Sequence, residues 1–231
     1  MMSPNRIVFL VDVDNTLLDN DGIQADLKRH LEREFGAACR DRYWVILEQL
    51  FAELGYRDYL GALQRYRVEH KEDIHLLTMS SYLVDYPFAD RLYSRALEVL
   101  EHLGDWGQTV ILSDGDVVFQ PRKVERSGIS AAVAGQVLIY IHKEEELDDV
   151  ERLYPADHYV LIDDKLHILS AIKKIWGERV TTVFPKQGHY AFDADILANH
   201  PPADIELAAI GDLCACDRGA LLKANQAAKR G

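Results

Sequence analysis

"VFLVDVDNTLLDND", residues 8–21, is the stretch on which the fold turns. A continuous apolar run, Ile7 to Val11, leads directly into Asp12, Asp14, Asn15 and Thr16. A run without polar alternation suits a strand covered on both faces, as in a parallel sheet. Two carboxylates at its end are costly unless something offsets their charge.

Runs of the same kind recur at 109–114 ("TVILSD"), 135–141 ("GQVLIYI"), 158–164 ("HYVLIDD") and 179–185 ("RVTTVFP"). Helical patterns lie between them, over 90–104, 144–154 and 166–176, the last with Leu166, Leu169, Ile172, Ile175 and Trp176 at helical spacing. Strand alternating with helix predicts an α/β domain with a parallel sheet. The segment 19–89 breaks the rhythm. It reads as helices over about 22–36, 40–54, 58–69 and 73–84, punctuated by "EFGAACRD" and "ELGYRD" and ended by Pro87. The expectation is a core from 1–18 and 90–231, with a helical insertion over 19–89. There is no internal repeat or low-complexity segment.

The chain has 231 residues, 48% hydrophobic and 28% charged, with a formal net charge of -12. This is globular composition with enough length for a substantial core. The acidic balance argues against nucleic acid or an anionic membrane as partner. No apolar run approaches a membrane span, and "MMSPNR" lacks the basic-then-apolar pattern expected of a secretory leader. Three cysteines make no disulfide framework; Cys214 and Cys216, spaced as C-x-C, read as small buried or half-buried thiols rather than a soft-metal site. A reducing cytoplasm fits these features.

In an open parallel sheet the active crevice lies at the carboxyl ends of the strands. The strand ends here deliver Asp12 and Asp14, then Ser113 and Asp114, then His142 and Lys143, then Asp163 and Asp164. Crowded carboxylates repel one another, and a hard divalent cation offsets that repulsion. Mg²⁺ suits such a place, because it takes one or two carboxylates together with water and phosphate oxygens.

With these motifs in order, the sequence resembles the haloacid dehalogenase-like superfamily. "DVDNT" (12–16) is similar to its first motif, "VILSD" (110–114) to its second, Lys143 to its third-motif lysine, and "LIDDK" (161–165) to its fourth. The insertion after the first motif stands where members with a helical cap carry it. The resemblance implies a Rossmann-like core with an all-helical cap, and an Mg²⁺-dependent phosphatase acting on a small phosphorylated metabolite. It implies Asp12 as nucleophile, forming an aspartyl-phosphate, and Asp14 as general acid and base. Ser113 and Lys143 would hold the phosphoryl group, and Thr16 would orient the Asp12 loop. Asp163 and Asp164 would hold the metal with the Asp12 carboxylate and the Asp14 backbone carbonyl.

Asp14 favours phosphoryl transfer over displacement of halide from carbon, since members of the latter kind usually lack this acid. A phosphomutase on the same scaffold, or a binding protein that kept the fold, are the other readings. Lys123 is a rival to Lys143, but it reads as part of a surface helix and follows Ser113 too soon. Asp114 after Ser113, and Lys165 after the acid pair, depart from the family's pattern. His189, in "PKQGHYA", reads as structural. Tyr43, Trp44, Arg57, Tyr59, Arg65, Tyr66 and Arg67 of the insertion read as its core and its solvated face, and none is assigned to specificity.

Overall fold

The computed structural model describes residues 6–71, 76–219 and 221–222. Six parallel strands form one sheet: β1 (Ile7–Val11), β2 (Gln108–Asp114), β3 (Val137–Tyr140), β4 (His158–Ile162), β5 (Val180–Pro185) and β6 (Ile205–Leu207), in the spatial order β3-β2-β1-β4-β5-β6. All five residues of β1 are buried, as an unbroken apolar run requires of a central strand. Its side chains alternate between two cores. Ile7, Phe9 and Val11 join one, and Val8 and Leu10 join the other.

The first core packs α5 (Ala96–Gly104), α6 (Phe119–Arg126) and α7 (Ile129–Ala132) against the sheet. The second is covered by α8 (Leu147–Leu153) and by α9 (Leu166–Trp176), whose Leu166, Leu169, Ile172 and Trp176 are buried. A short α10 (Ala194–Asn199) precedes β6.

Among the described residues, four helices are inserted between β1 and α5: α1 (Asn20–Phe35), α2 (Ala37–Leu54), α3 (Tyr59–Glu69) and α4 (Leu76–Asp85). Each break has a local cause. The Asp19 side chain accepts from the Gly22 N–H at 2.8 Å and the Asp58 side chain from the Gly61 N–H at 2.6 Å, capping α1 and α3. Gly55 ends α2 in the left-handed conformation, φ 81°. The start of the predicted 73–84 helix lies outside the described residues.

Several expectations need correction. The predicted helix 90–104 begins only at Ala96, because the chain before it returns to the core: Leu92 pairs with Leu18, and the Tyr93 N–H donates to the Leu17 carbonyl at 2.9 Å. The 144–154 helix begins at Leu147, after a 3₁₀ turn over Lys143–Glu145. The run 135–141 is a half-buried edge strand rather than a buried central one. Strand β6 and helix α10 have no counterpart in the sequence reading.

The strand order reverses between β1 and β4, which is where such sheets form their crevice. Val11 lies level with both Ile111 and Ile162. Asp12 and Asp163 therefore leave the sheet together, side by side. The chain after Asp12 turns tightly, with the Leu17 and Leu18 N–H groups donating to the Val13 carbonyl. The turn places Asn15 at φ 57°, a region that asparagine tolerates. Gly188, at φ 67°, packs against it: a Cβ there would lie 2.5 Å from the Asn15 side chain. Asn15 is buried and held by Asp21 through two 3.1 Å hydrogen bonds, so it has no room to yield. Gly188→Ala should therefore destabilise the protein by about 1–3 kcal/mol. Urea denaturation measures this, and a variant as stable as the parent would contradict the packing described.

Candidate functional site

Asp12, Asp163 and Asp164 converge where β1 and β4 end. Their carboxylate oxygens lie within 4.8 Å of one another, and all three residues are buried. Asp164 is fixed by its backbone N–H, which donates to Thr16 Oγ1 at 3.0 Å. Asp163 is fixed by the Lys165 N–H, which donates to its Oδ1 at 2.8 Å.

Lys143 is the counter-charge. Its Nζ lies 2.6 Å from Asp12 Oδ1 and 2.6 Å from Asp163 Oδ2, and it also donates to the Leu112 carbonyl at 3.3 Å. It is wholly buried. Burial alone would lower the pKa of this ammonium; Asp12, Asp163 and Asp114 together outweigh that and raise it. The acids respond in the opposite sense. Burial pushes Asp163 up to about 6, opposed by Lys143 and helped by the charge of Asp12. Burial, then the charges of Asp163 and Asp12, hold Asp164 well above the ordinary carboxylate range.

One lysine does not satisfy three carboxylates. Asp12 Oδ2 and both Asp164 oxygens are buried without a hydrogen-bond partner. Unpartnered buried anionic oxygens facing one another are the donor set of a hard cation. The triad thus fits a divalent metal ion.

Ser113, on β2, donates toward Asp12 Oδ1 at 3.5 Å and accepts from Gln120 Nε2 at 2.9 Å. Gln120, which the sequence reading did not single out, thus orients the serine hydroxyl. The Asp14 side chain is not in the triad. Both its oxygens are held by Lys123, at 2.7 and 2.9 Å, and Lys123 also donates to Asn20 Oδ1 at 3.2 Å. This corrects the expectation for Lys123: it is no surface residue but 1% exposed. Lys143, not Lys123, pairs with Asp12. Asp114 turns back onto the site's own frame, accepting from the Lys143 N–H at 2.9 Å. Burial raises its pKa against the pull of Lys143 and Lys165.

A cleft opens beside these groups, between the sheet edge and the inserted helices. Asp14, Asp114, Lys123 and Lys165 line it from the core, and Tyr56, Arg57 and Tyr59 from the insertion. Tyr59 is buried with its ring 4.8 Å from that of Phe119; burial, and then Asp14, raise its pKa. Arg57 and Tyr59 are cleft residues that the sequence could not separate from other aromatic and basic residues of the insertion. His189 is tied to Asp21, with Nδ1 2.7 Å from Oδ1 and its N–H donating to Oδ2 at 2.8 Å. Cys39, Cys214 and Cys216 are half-buried and form no disulfide among the described residues. Among the described residues no helix is long and apolar enough to cross a membrane.

Comparisons with known proteins agree with this geometry. Residues 8–175 match the haloacid dehalogenase-like hydrolase family. A haloacid dehalogenase-like hydrolase from Burkholderia xenovorans is 62% identical, with a TM-score of 0.89 over 95% of this chain and 100% of its own. A family hydrolase from Xanthomonas campestris shares the fold at 14% identity, TM-score 0.66, over 96% of this chain and 95% of its own. YfnB from Bacillus subtilis, a magnesium-bound structure, shares it at 15% identity and TM-score 0.60, over 92% of this chain and 98% of its own. No curated protein matches the sequence.

The raised acids give a testable pH dependence. A carboxyl whose pKa is higher in the folded than in the unfolded state keeps its proton longer when folded, so stability falls as pH rises between the two values. For Asp163 in the metal-free protein that window runs from about 4 to about 6, and Asp164 acts in the same sense. Metal-free Asp164→Asn should therefore match the parent's thermal midpoint near pH ~4 and exceed it near pH ~8. The parent alone should recover stability there on adding a divalent cation. Equal midpoints at both pH values would contradict the assigned electrostatics.

Proposed function

The chain belongs to the haloacid dehalogenase-like hydrolase family, and from that we propose that it is an Mg²⁺-dependent phosphatase of small phosphomonoesters. The observation that carries this reading is the grouping of Asp12, Asp163 and Asp164 around unpartnered oxygens, with Lys143 against Asp12 and Asp14 set apart at the cleft. Asp12, Asp163 and Asp164 would hold Mg²⁺ through their side chains, and Asp14 through its backbone carbonyl. The bound ion would supply charge neutralisation to the phosphoryl oxygens.

Asp12 is the nucleophile in this reading. Its carboxylate oxygen attacks phosphorus, the bond from phosphorus to the leaving oxygen breaks, and an aspartyl-phosphate forms. Asp14 gives its proton to the leaving oxygen. Water then attacks phosphorus and passes a proton to Asp14. The bond between phosphorus and the Asp12 oxygen breaks, releasing inorganic phosphate and restoring the carboxylate. Lys143 stands where charge develops on the transferring group, and Ser113 donates to one of its oxygens. Asp14 reaches the leaving oxygen only by giving up part of its hold on Lys123. Its separation from the acid triad is what a distinct proton-transfer role needs.

The cleft lies between Asp114 and Lys165 of the core and Arg57 and Tyr59 of the insertion. Walls from both the core and the insertion favour a small metabolite over a phosphorylated protein segment. Asp14 also favours phosphoryl transfer over carbon–halogen cleavage, because an alkoxide leaving group needs a proton and a halide does not.

Release of inorganic phosphate from a panel of small phosphomonoesters, with and without Mg²⁺, tests the reading. Metal-dependent release is expected, absent in Asp12→Asn with the fold intact. Asp14→Asn should retain a remnant, lowered on the order of 10²–10⁴-fold. Release that persists in Asp12→Asn would overturn the assignment.

A further inference from the structure

The two residues that depart from the family's pattern, Asp114 and Lys165, meet in the fold. Asp114 ends β2, and Lys165 stands at the N-terminus of α9. Strand β1 lies between their strands, yet Lys165 Nζ comes within 3.9 Å of Asp114 Oδ2. That is ion-pair range but too long for a hydrogen bond. The backbones of both are fixed to the site: Lys165 N–H donates to Asp163 Oδ1, and Asp114 Oδ1 accepts from the Lys143 N–H.

The three lysines around the acids differ in how they are used. Lys143 is saturated by Asp12, Asp163 and the Leu112 carbonyl. Lys123 is saturated by Asp14 and Asn20. Lys165 has no hydrogen-bond acceptor for its ammonium among the described residues. Its side chain is 23% exposed, where that of Lys143 is 0%. It lines the cleft together with Asp14 and Gly115, its ammonium 5.9 Å from the centre of the Tyr190 ring. An ammonium has three donors, and here they face the space a ligand enters.

We propose that Lys165 is a phosphate-binding residue whose ammonium takes an oxygen of the phosphoryl group presented to Asp12. This rests on the phosphoryl reading of the cleft given above. An incoming ester brings up to two negative charges to a place already crowded with carboxylates, and Lys143 is engaged by two of them. A second cation with free donors offsets that repulsion. Asp114 holds Lys165 at the wall and balances its charge before the ligand arrives.

The test is binding of orthophosphate, measured by titration calorimetry on the full chain with Mg²⁺ present. Lys165→Met should weaken binding about tenfold or more, the loss expected of a charge-assisted hydrogen bond. It also leaves Asp114 without its cation and could unfold the protein. The double variant Asp114→Asn/Lys165→Met removes both charges, and its asparagine still accepts from the Lys143 N–H. It should bind orthophosphate as weakly as the single variant, while Lys174→Met, an exposed position on the same helix, should bind like the parent. Wild-type affinity in the double variant would mean that Lys165 only neutralises Asp114, and would overturn the proposal. A parent protein that binds no orthophosphate would overturn it too. A parent that binds orthophosphate but hydrolyses no phosphomonoester would sink the phosphatase reading and leave the Lys165 assignment standing.

Discussion

The contact between Lys143 and the two carboxylates of Asp12 and Asp163 is the constraint on which the rest of the site depends. A wholly buried ammonium and two buried carboxylates are expensive to desolvate singly, and they are tolerable only as a group. The group exists because β1 and β4 end at one level and the 3₁₀ turn after β3 brings Lys143 to them. Asp12 and Asp163 come from adjacent strands in register, and Lys143 follows β3, two strands away from β1. The Lys143 backbone is anchored by Asp114, at the end of the strand between. The sheet therefore supplies a rigid edge for the acids, and the turn that carries Lys143 is pinned to that edge through Asp114.

Charge balance then extends outward from that edge. Asp12, Asp14, Asp114, Asp163 and Asp164 face Lys123, Lys143 and Lys165. With every group ionised, this leaves two negative charges uncompensated, and they fall where carboxylate oxygens lack partners. A divalent cation would bring the set to neutrality. The net charge of -12 thus says little about the cleft, where Arg57, Lys123 and Lys165 stand among the acids.

Much of this was legible in the sequence where the signal was local. The unbroken apolar runs of β1, β2 and β4 identify central parallel strands, and acids or a hydroxyl at their ends identify the reactive edge. Asp12, Ser113, Asp163 and Asp164 could be brought together because each sits at a strand end, and Lys143 because it follows a strand closely. Elements with weak local signals were not legible: β6 has three residues, none of them buried, and α10 has six, also without a buried residue. Lys123 was misread because its neighbours Arg122, Glu125 and Arg126 are those of a solvated helix. Its burial is set by Asp14 and Asn20, about a hundred residues away in sequence. The pairing of Asp114 with Lys165 likewise depends on strand order, which no local pattern encodes. Arg57 and Tyr59 reach the cleft by the path of the α2–α3 connection, and their residue types alone did not distinguish them from neighbours facing elsewhere.

The central claim is that Asp12 attacks phosphorus and that water later attacks that same phosphorus. Multiple turnovers of a hydrolysed ester in heavy-oxygen water, followed by mass spectrometry of the phosphate and of the peptide containing Asp12, test it directly. The account predicts label in the released phosphate and none in the Asp12 carboxylate. Label accumulating in Asp12 would mean that water attacks the carboxyl carbon of an ester intermediate, as in displacement at carbon, and would contradict the account.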